Sequence, residues 1–302
     1  TKNTITDGTS YTDLADDESN VDAAIFSRAD MTINGSGSLT VKGNMKNGIV
    51  SKDDLVITGG TITVNAKNNG ICGKDCVKIA DGNITIKSEG DGIKSNNIED
   101  TSKGYIYICG GKINITSTTD AIQAETTLTI EKGEINLKTG GGSENSSKTS
   151  EGKDNPQWGK WGQEDSSTTE EDTASAKGLK SGGDIKISNV TITADTSDDS
   201  IHSNSNVTIE SGTFNLKSGD DGIHADTSTV INNGNIVIEK SYEGIEGSNV
   251  TINGGTIELT ASDDGINSAG GSDSSSMGGR MGQNSFTENS DIYIKITGGK
   301  VT

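Results

Sequence analysis

The chain holds two histidines, His202 and His224, 22 residues apart in near-copies of one stretch, "SDDSIHSN" at 197–204 and "GDDGIHAD" at 219–226. Each follows two Asp, a small residue and an Ile. Two imidazoles beside paired carboxylates could bind a metal, move a proton or read a polar ligand. A zinc pair lacks a third soft ligand nearby, and the surrounding Asp favour a harder ion. As polar readers of a ligand, the histidines need no metal. Their spacing also has a plainer source, which is a repeat.

A small residue followed by Ile or Leu recurs at 48–49, 70–71, 92–93, 121–122, 178–179, 200–201, 222–223, 244–245 and 265–266, mostly in steps of 21 or 22. After most pairs comes an alternating apolar stretch such as Leu55/Ile57 or Val77/Ile79. A Gly-rich turn follows, often Gly-Gly, and then a second alternating stretch such as Ile84/Ile86. Alternation marks strands with one buried side. Two or three short strands per repeat, with no helical periodicity between them, exclude βαβ units. The predicted fold is all-β: a single-stranded parallel β-helix (solenoid) of about 22 residues per coil, with coils stacked at about 4.8 Å.

Composition agrees once the repeat is seen. A net charge of −19 with few large apolar residues is usual for disordered chains. Yet the chain has 35 Ile, 41 Gly and a single Pro. A narrow core of about five inward apolar side chains per coil reconciles these facts.

Stacking turns sequence columns into physical ones. The residue after each pair is expected to point outward at a corner: Val50, Cys72, Lys94, Gln123, Lys180, His202, His224, Glu246, Asn267. The residue two before each Ile or Leu reads Asn47, Asn69, Asp91, Asp120, Lys177, Asp199, Asp221, Glu243, Asp264, and Asp198, Asp220 and Asp263 precede three of these. Stacked carboxylates repel unless a cation or solvent intervenes. Oxygen-rich sites suit Ca²⁺. The expected calcium ligands are Asp91, Glu99, Asp100, Asp120, Asp198, Asp199, Asp220, Asp221, Glu243 and Asp264. For any single one, an Asp-Gly turn whose carboxylate bonds nearby backbone is the alternative.

The expected ligand-binding residues are Lys94, Gln123, Lys177, Lys180, His202, His224, Glu246 and Asn267. Trp158 and Trp161, the only tryptophans, join them; they could stack on sugar rings or anchor their loop. Insertions at 96–103, 140–176 and 269–290 read as entering one corner and building a groove there. Residues 1–302 form one domain, with 1–45 read as irregular coils or a cap. Asp16, Asp17 and Glu18 in that stretch read as a solvated acidic loop. Cys72, Cys76 and Cys109 select no disulfide pair and are expected as free thiols.

The blocks "AAIFSRADMTINGSGSLTVKGN", "GIVSKDDLVITGGTITV", "GDGIKS", "KGYIYICGGKINIT", "SAKGLKSGGDIKIS", "DDGIHADTS" and "KSYEGIEGSNVTINGGTIELTASDDGINSAGG" resemble a bacterial family of parallel β-helix carbohydrate-binding proteins. The resemblance covers nearly the whole chain. It implies a right-handed helix, bound calcium, and binding of cellulose or of acidic sugars such as pectin. It also implies a fold shared with polysaccharide lyases, secretion or surface attachment, and no demonstrated catalysis. The acidic turns and the lysines of "GIKS" and "GLKS" match the family pattern without fixing individual metal ligands.

The alternative is a calcium-dependent, pectate-type lyase. Such an enzyme uses Ca²⁺ to acidify the α-proton and a Lys or Arg to abstract it. Lys94, Lys177 and Lys180 stand at the acidic corner, where neighbouring carboxylates work against a neutral amine. A stacked Asp row is likewise not a glycosidase acid/base pair. The charge excludes nucleic acid as a partner. No run of about 18 apolar residues occurs, so no membrane span is expected. The chain opens without Met or a signal peptide and closes mid-coil, which reads as part of a longer exported protein, extracellular or at the cell surface.

Overall fold

The computed structural model describes residues 1–10, 21–146, 175–268 and 292–302. Trp158, Trp161, Asp16, Asp17 and Glu18 lie outside the described residues, as does most of the two longer insertions.

The strands fall into three parallel sheets visited in turn. Sheet A has eleven strands, from Lys2–Thr6 to Lys300–Val301. Sheet B has ten, from Ala23–Ser27 to Ile266–Asn267, and sheet C ten, from Met31–Ile33 to Tyr293–Ile296. Each strand pairs with its equivalents one coil before and after: Ile71 lies opposite Ile49 and Ile93, and Ile84 opposite Ile62 and Ile113. The alternating stretches after the Gly-Ile pairs supply sheet C, those after the Gly-rich turns supply sheet A, and the pairs themselves open sheet B. The chain is a parallel β-helix.

One coil shows how little core is needed. Ile71 enters from sheet B, Val77 and Ile79 from sheet C, Ile84 and Ile86 from sheet A, each at most 1% exposed. Burying each such side chain stabilises by about 1.5–3 kcal/mol relative to exposure. The same ladder repeats above and below, so every inward residue has a neighbour of its own kind on both sides.

The small residue before each Ile is sterically enforced. A Cβ on Gly70 would lie 2.4 Å from Ile86 Cγ2 and 2.6 Å from the Gly92 carbonyl oxygen. At the corner from sheet C to sheet A, Gly111 takes φ +93°, the left-handed region that glycine enters freely. Inward hydroxyls close the sheet B strands: Ser51, Ser95, Ser181 and Ser203 donate to the carbonyls of Ala29, Lys74, Thr126 and Gly183. Buried polar atoms are thereby satisfied.

Two expectations about layout change. The stretch 1–45, read as irregular, holds regular coil strands: Lys2–Thr6 pairs with Ser38–Gly43, and Ala23–Ser27 with Asn47–Ser51. Lys2–Thr6 is exposed throughout, because it stands at the end of the stack. The insertions also do not share a corner. Those at 96–103 and 269–290 leave sheet B toward sheet C, whereas 140–176 joins sheet A to sheet B. Residue spacing alone could not tell an insertion before a three-residue strand from one after it.

Among the described residues no helix is long and apolar enough to cross a membrane. The three cysteines are free thiols.

Candidate functional site

The Asp/Asn column lies at the corner where sheet A passes to sheet B, and its first role is structural. At six steps of the column a side-chain oxygen accepts a hydrogen bond from the backbone N–H of the equivalent residue one coil on. Asn47 Oδ1 takes Asn69 N–H at 3.1 Å, Asn69 takes Asp91 at 2.8 Å, and Asp91 takes Asp120 at 3.2 Å. Asp120 takes Lys177 at 2.8 Å, Asp199 takes Asp221 at 2.9 Å, and Asp221 takes Glu243 at 3.3 Å. A short side chain with an acceptor oxygen is what these buried N–H groups need. Lys177 has no acceptor to offer, and there Asp198 Oδ1 takes the Asp199 N–H at 3.0 Å.

The remaining carboxylate oxygens are met by the chain's own cations. Lys94 Nζ lies 2.7 Å from Asp91 Oδ2, and Lys180 Nζ 3.2 Å from Asp120 Oδ2. Lys177 is 3% exposed and donates at 2.8 Å to both Asp198 and Asp199. Burial opposes the Lys177 charge, yet Asp199 and Asp198 hold its pKa above the usual lysine value. Burial likewise opposes the Asp199 charge, and Lys177 followed by His202 holds that carboxyl well below the usual range. Asp220 joins Asp198 and Asp199, one oxygen of each within 4.8 Å of the others.

The histidines continue the outward row of Lys94, Gln123 and Lys180 on sheet B, as the repeat predicts, yet they are covered, His202 at 6% exposure and His224 at 1%. They are buried because coil stacking lays one ring on the other, with centroids 4.7 Å apart and planes within 8°. His202 Nδ1 meets Asp199 Oδ2 at 2.7 Å and its Nε2 meets Asn204 Oδ1 at 3.0 Å. His224 Nδ1 meets Glu246 Oε2 at 2.7 Å and Asp221 Oδ2 at 3.1 Å, and its Nε2 meets Asp226 Oδ1 at 3.1 Å. Burial disfavours charge on His224, but Asp221 and Glu246 push its pKa up to about 12. Asp221 itself is raised well above the carboxylate range by burial, partly offset by His224, with Asp199, Asp220 and Glu246 adding repulsion.

Whether these residues fit calcium differs along the column. Asp91, Asp120, Asp198 and Asp199 already face an ammonium or imidazole, so their repulsion is relieved within the chain, while Asp221 keeps repulsion from Asp199, Asp220 and Glu246 despite His224. Glu99 sits 3.4 Å from Lys74, and Asp100 Oδ1 accepts from the Ser102 backbone at 2.9 Å and hydroxyl at 2.6 Å. The last described coils fit better. Burial raises Glu243, Asn267 offsets part of that, and Glu246, Asp264 and Asp263 add repulsion, leaving its pKa at about 7. Both Glu243 oxygens accept from Asn267 Nδ2 at 2.9 Å. Crowded oxygen donors of this kind suit a hard cation.

The outward face of sheet B carries a groove of about 740 Å³ over the first coils. Phe26, Val50, Cys72 and Lys94 form its floor as one column. Arg28, Lys52 and Lys74 line one rim, with Asn47, Asn68, Asn69 and Asn96 around it and Ile98, 78% exposed, on the wall. Lys52 Nζ lies 5.8 Å from the centre of the Phe26 ring. Burial and then Asp91 push the Cys72 thiol up to about 12, so it is a neutral wall and no nucleophile. Gln123 and Lys180 continue the column beyond Lys94.

Of the residues expected to bind ligand, Lys94 therefore lines the groove. Gln123 and Lys180 extend its line, Lys177, His202 and His224 are buried, Glu246 clasps His224, and Asn267 clasps Glu243. Phe26, Arg28, Lys52 and Lys74 were missed. The signal was present: Arg28, Lys52 and Lys74 each directly follow a sheet B strand, where later coils carry Asn204 and Asp226. A net charge of −19 hides four cations gathered along one groove, beside Asp22 and Glu99.

Fold and groove together define a β-solenoid with a polar, partly aromatic cleft on one flat side. The model of the carbohydrate-binding domain-containing protein family matches residues 1–222 and 205–302, and the chain belongs to that family. A carbohydrate-binding domain-containing protein of Acetivibrio thermocellus is 50% identical over 139 residues, 46% of this chain. The match spans 49% of that relative's length, about half. No solved structure matches the chain.

Proposed function

We propose that this chain binds plant cell-wall polysaccharide without cleaving it, along the outward face of sheet B. The observation that carries this is the groove, where a Phe floor and apolar walls meet four cations and four side-chain amides, against two carboxylates, Asp22 and Glu99. Aromatic and aliphatic faces suit the C–H faces of a sugar ring, and amides suit its hydroxyls. Arg28, Lys52, Lys74 and Lys94 suit the carboxylates of an acidic glycan such as polygalacturonate. The amides and Phe26 alone would serve cellulose. Calcium belongs to the same reading, with Glu243, Asp263 and Asp264 as its best-fitting ligands and its role there the relief of carboxylate repulsion. The acidic surface and a polysaccharide partner support an extracellular or cell-surface location.

The non-catalytic reading rests on the lysines. A lyase base must lose its proton near neutral pH. Lys94 and Lys180 are ion-paired with Asp91 and Asp120, and Lys177 is buried between two carboxylates that strengthen its hold on its proton. The test is a titration with polygalacturonate and with a soluble cellulose oligomer, with calcium and then with chelator, the mixture being assayed for unsaturated products. Binding without products supports the proposal. Unsaturated products would replace it with a lyase, and absence of binding to either glycan would refute it.

A further inference from the structure

The two histidines offer a chemistry separate from both the groove and the oxygen-rich coils. Their Nδ1 atoms face Asp199, Asp221 and Glu246 on one side, and their Nε2 atoms face Asn204 and Asp226 on the other. Asn204 and Asp226 occupy the same position on neighbouring coils, two residues beyond each histidine. The sequence offers no third soft ligand near the imidazoles, but the fold brings in a carboxylate, since a donor atom each from His202, His224 and Asp226 lie within 4.8 Å of one another.

We propose that His202, His224 and Asp226, with the Asn204 amide oxygen as a fourth donor, form a site for a borderline divalent transition ion such as Zn²⁺ or Co²⁺. Two imidazoles and a carboxylate match the nitrogen-rich sets that such ions prefer, and calcium does not take imidazole readily. A ligating histidine almost always gives its other N–H to a carboxylate, which fixes the tautomer and the ring. Both rings already have that partner, Asp199 for His202 and Asp221 with Glu246 for His224. The ligand edge is reachable from solvent, because Asn204 is exposed and Asp226 half-buried while the ring bodies stay buried.

Tetrahedral coordination with bonds of about 2.0–2.1 Å needs donors about 3.3 Å apart. Closing from the present spacing asks for a tilt of the stacked rings toward each other and rotation of the Asp226 and Asn204 side chains. The balance is simple. The ion takes the Nε2 lone pairs, any Nε2 proton leaves to solvent, and Asp226 and Asn204 turn their oxygens from hydrogen-bond acceptors into ligands. The carboxylates crowded around His224 help to hold the divalent ion once each displaced Nε2 proton has left.

The experiment is titration of the intact chain with Co²⁺, read by its visible absorption, and with Zn²⁺, read by calorimetry at mildly alkaline pH. One equivalent is expected to bind, and millimolar Ca²⁺ to leave the curve unchanged. Asp226→Asn, at the half-buried edge, should weaken Zn²⁺ at least about tenfold, and His202→Gln should abolish the Co²⁺ band. Asp54→Asn, in the remote Asp30–Asp53–Asp54 cluster, should change neither. Absence of stoichiometric Zn²⁺ binding would overturn the proposal, as would an affinity unmoved by Asp226→Asn or a curve displaced by calcium.

Discussion

Lys177→Met is the sharpest test of how the acidic column is held together. The ammonium lies 2.8 Å from Asp198 and from the fully buried Asp199, so its removal leaves a carboxylate in the interior with the His202 imidazole as its remaining side-chain ring partner. Breaking a buried pair from one side costs about 3–5 kcal/mol, because the orphaned charge stays desolvated. At about 2–4 °C per kcal/mol, the melting temperature should fall by roughly 6–20 °C in far-ultraviolet circular dichroism. The pH window follows from the two shifts. Asp199 is depressed, so its contribution is present above the unfolded value of about 3.9 and is lost as pH falls through the lower folded value. Lys177 is raised, so its contribution is present below about 10.4 and is lost as pH rises through the higher folded value. The deficit of the variant should be full near neutral pH and narrow in acid, where its Asp199 protonates first. Lys177→Met with Asp199→Asn should recover at least half the loss. A variant melting within about 2 °C of the parent, or a loss untouched by Asp199→Asn, would refute this account of the column.

Three further outcomes are expected. In metal-free protein, the His224 ring proton signals in NMR should stay constant from pH 5 to pH 9, since the stabilisation is full below about 6.5 and fades as pH rises toward 12; a transition near 6.5 would contradict the clasp by Asp221 and Glu246. Gly70→Ala should destabilise by about 1–3 kcal/mol in denaturant unfolding, because its Cβ has no room beside Ile86 and Gly92; a neutral effect would show that the coil turns yield easily. Calcium at about a hundred times its dissociation constant should stabilise the chain by about 2.7 kcal/mol, and Glu243→Gln should remove most of that increment; equal gains in both would remove Glu243 from the calcium site.

The solenoid was legible because its signal is periodic. Gly-Ile pairs at fixed steps and two alternating stretches between them leave few other ways to bury Ile71, Val77, Ile79, Ile84 and Ile86 together. The columns were legible for the same reason. What each column does was not. Asp91 and Asp120 read as cation ligands because charge is visible in a sequence, while the backbone N–H groups and lysines that satisfy them are not. His202 and His224 read as outward from their place after each small-residue–Ile pair, and they are; that stacked rings and carboxylates would cover them was not visible. The groove escaped notice because Phe26 and the row of Arg28, Lys52 and Lys74 come side by side only when the first coils are recognised as regular, and their weak alternation conceals that. Asp226 and Asn204 were not singled out, although the repeat already placed each two residues beyond a histidine.

The central claim is that the outward face of sheet B holds a glycan. Calorimetric titration of oligogalacturonide into the intact chain and into a Phe26→Ala, Lys74→Ala, Lys94→Ala variant tests it most directly, with thermal melting confirming that both are folded. The account predicts binding by the parent and at least about tenfold weaker binding by the variant, since each lost contact to a charged ligand group is worth about 1.5–3 kcal/mol. A folded variant that binds oligogalacturonide as tightly as the parent would move the site away from this face and contradict the account.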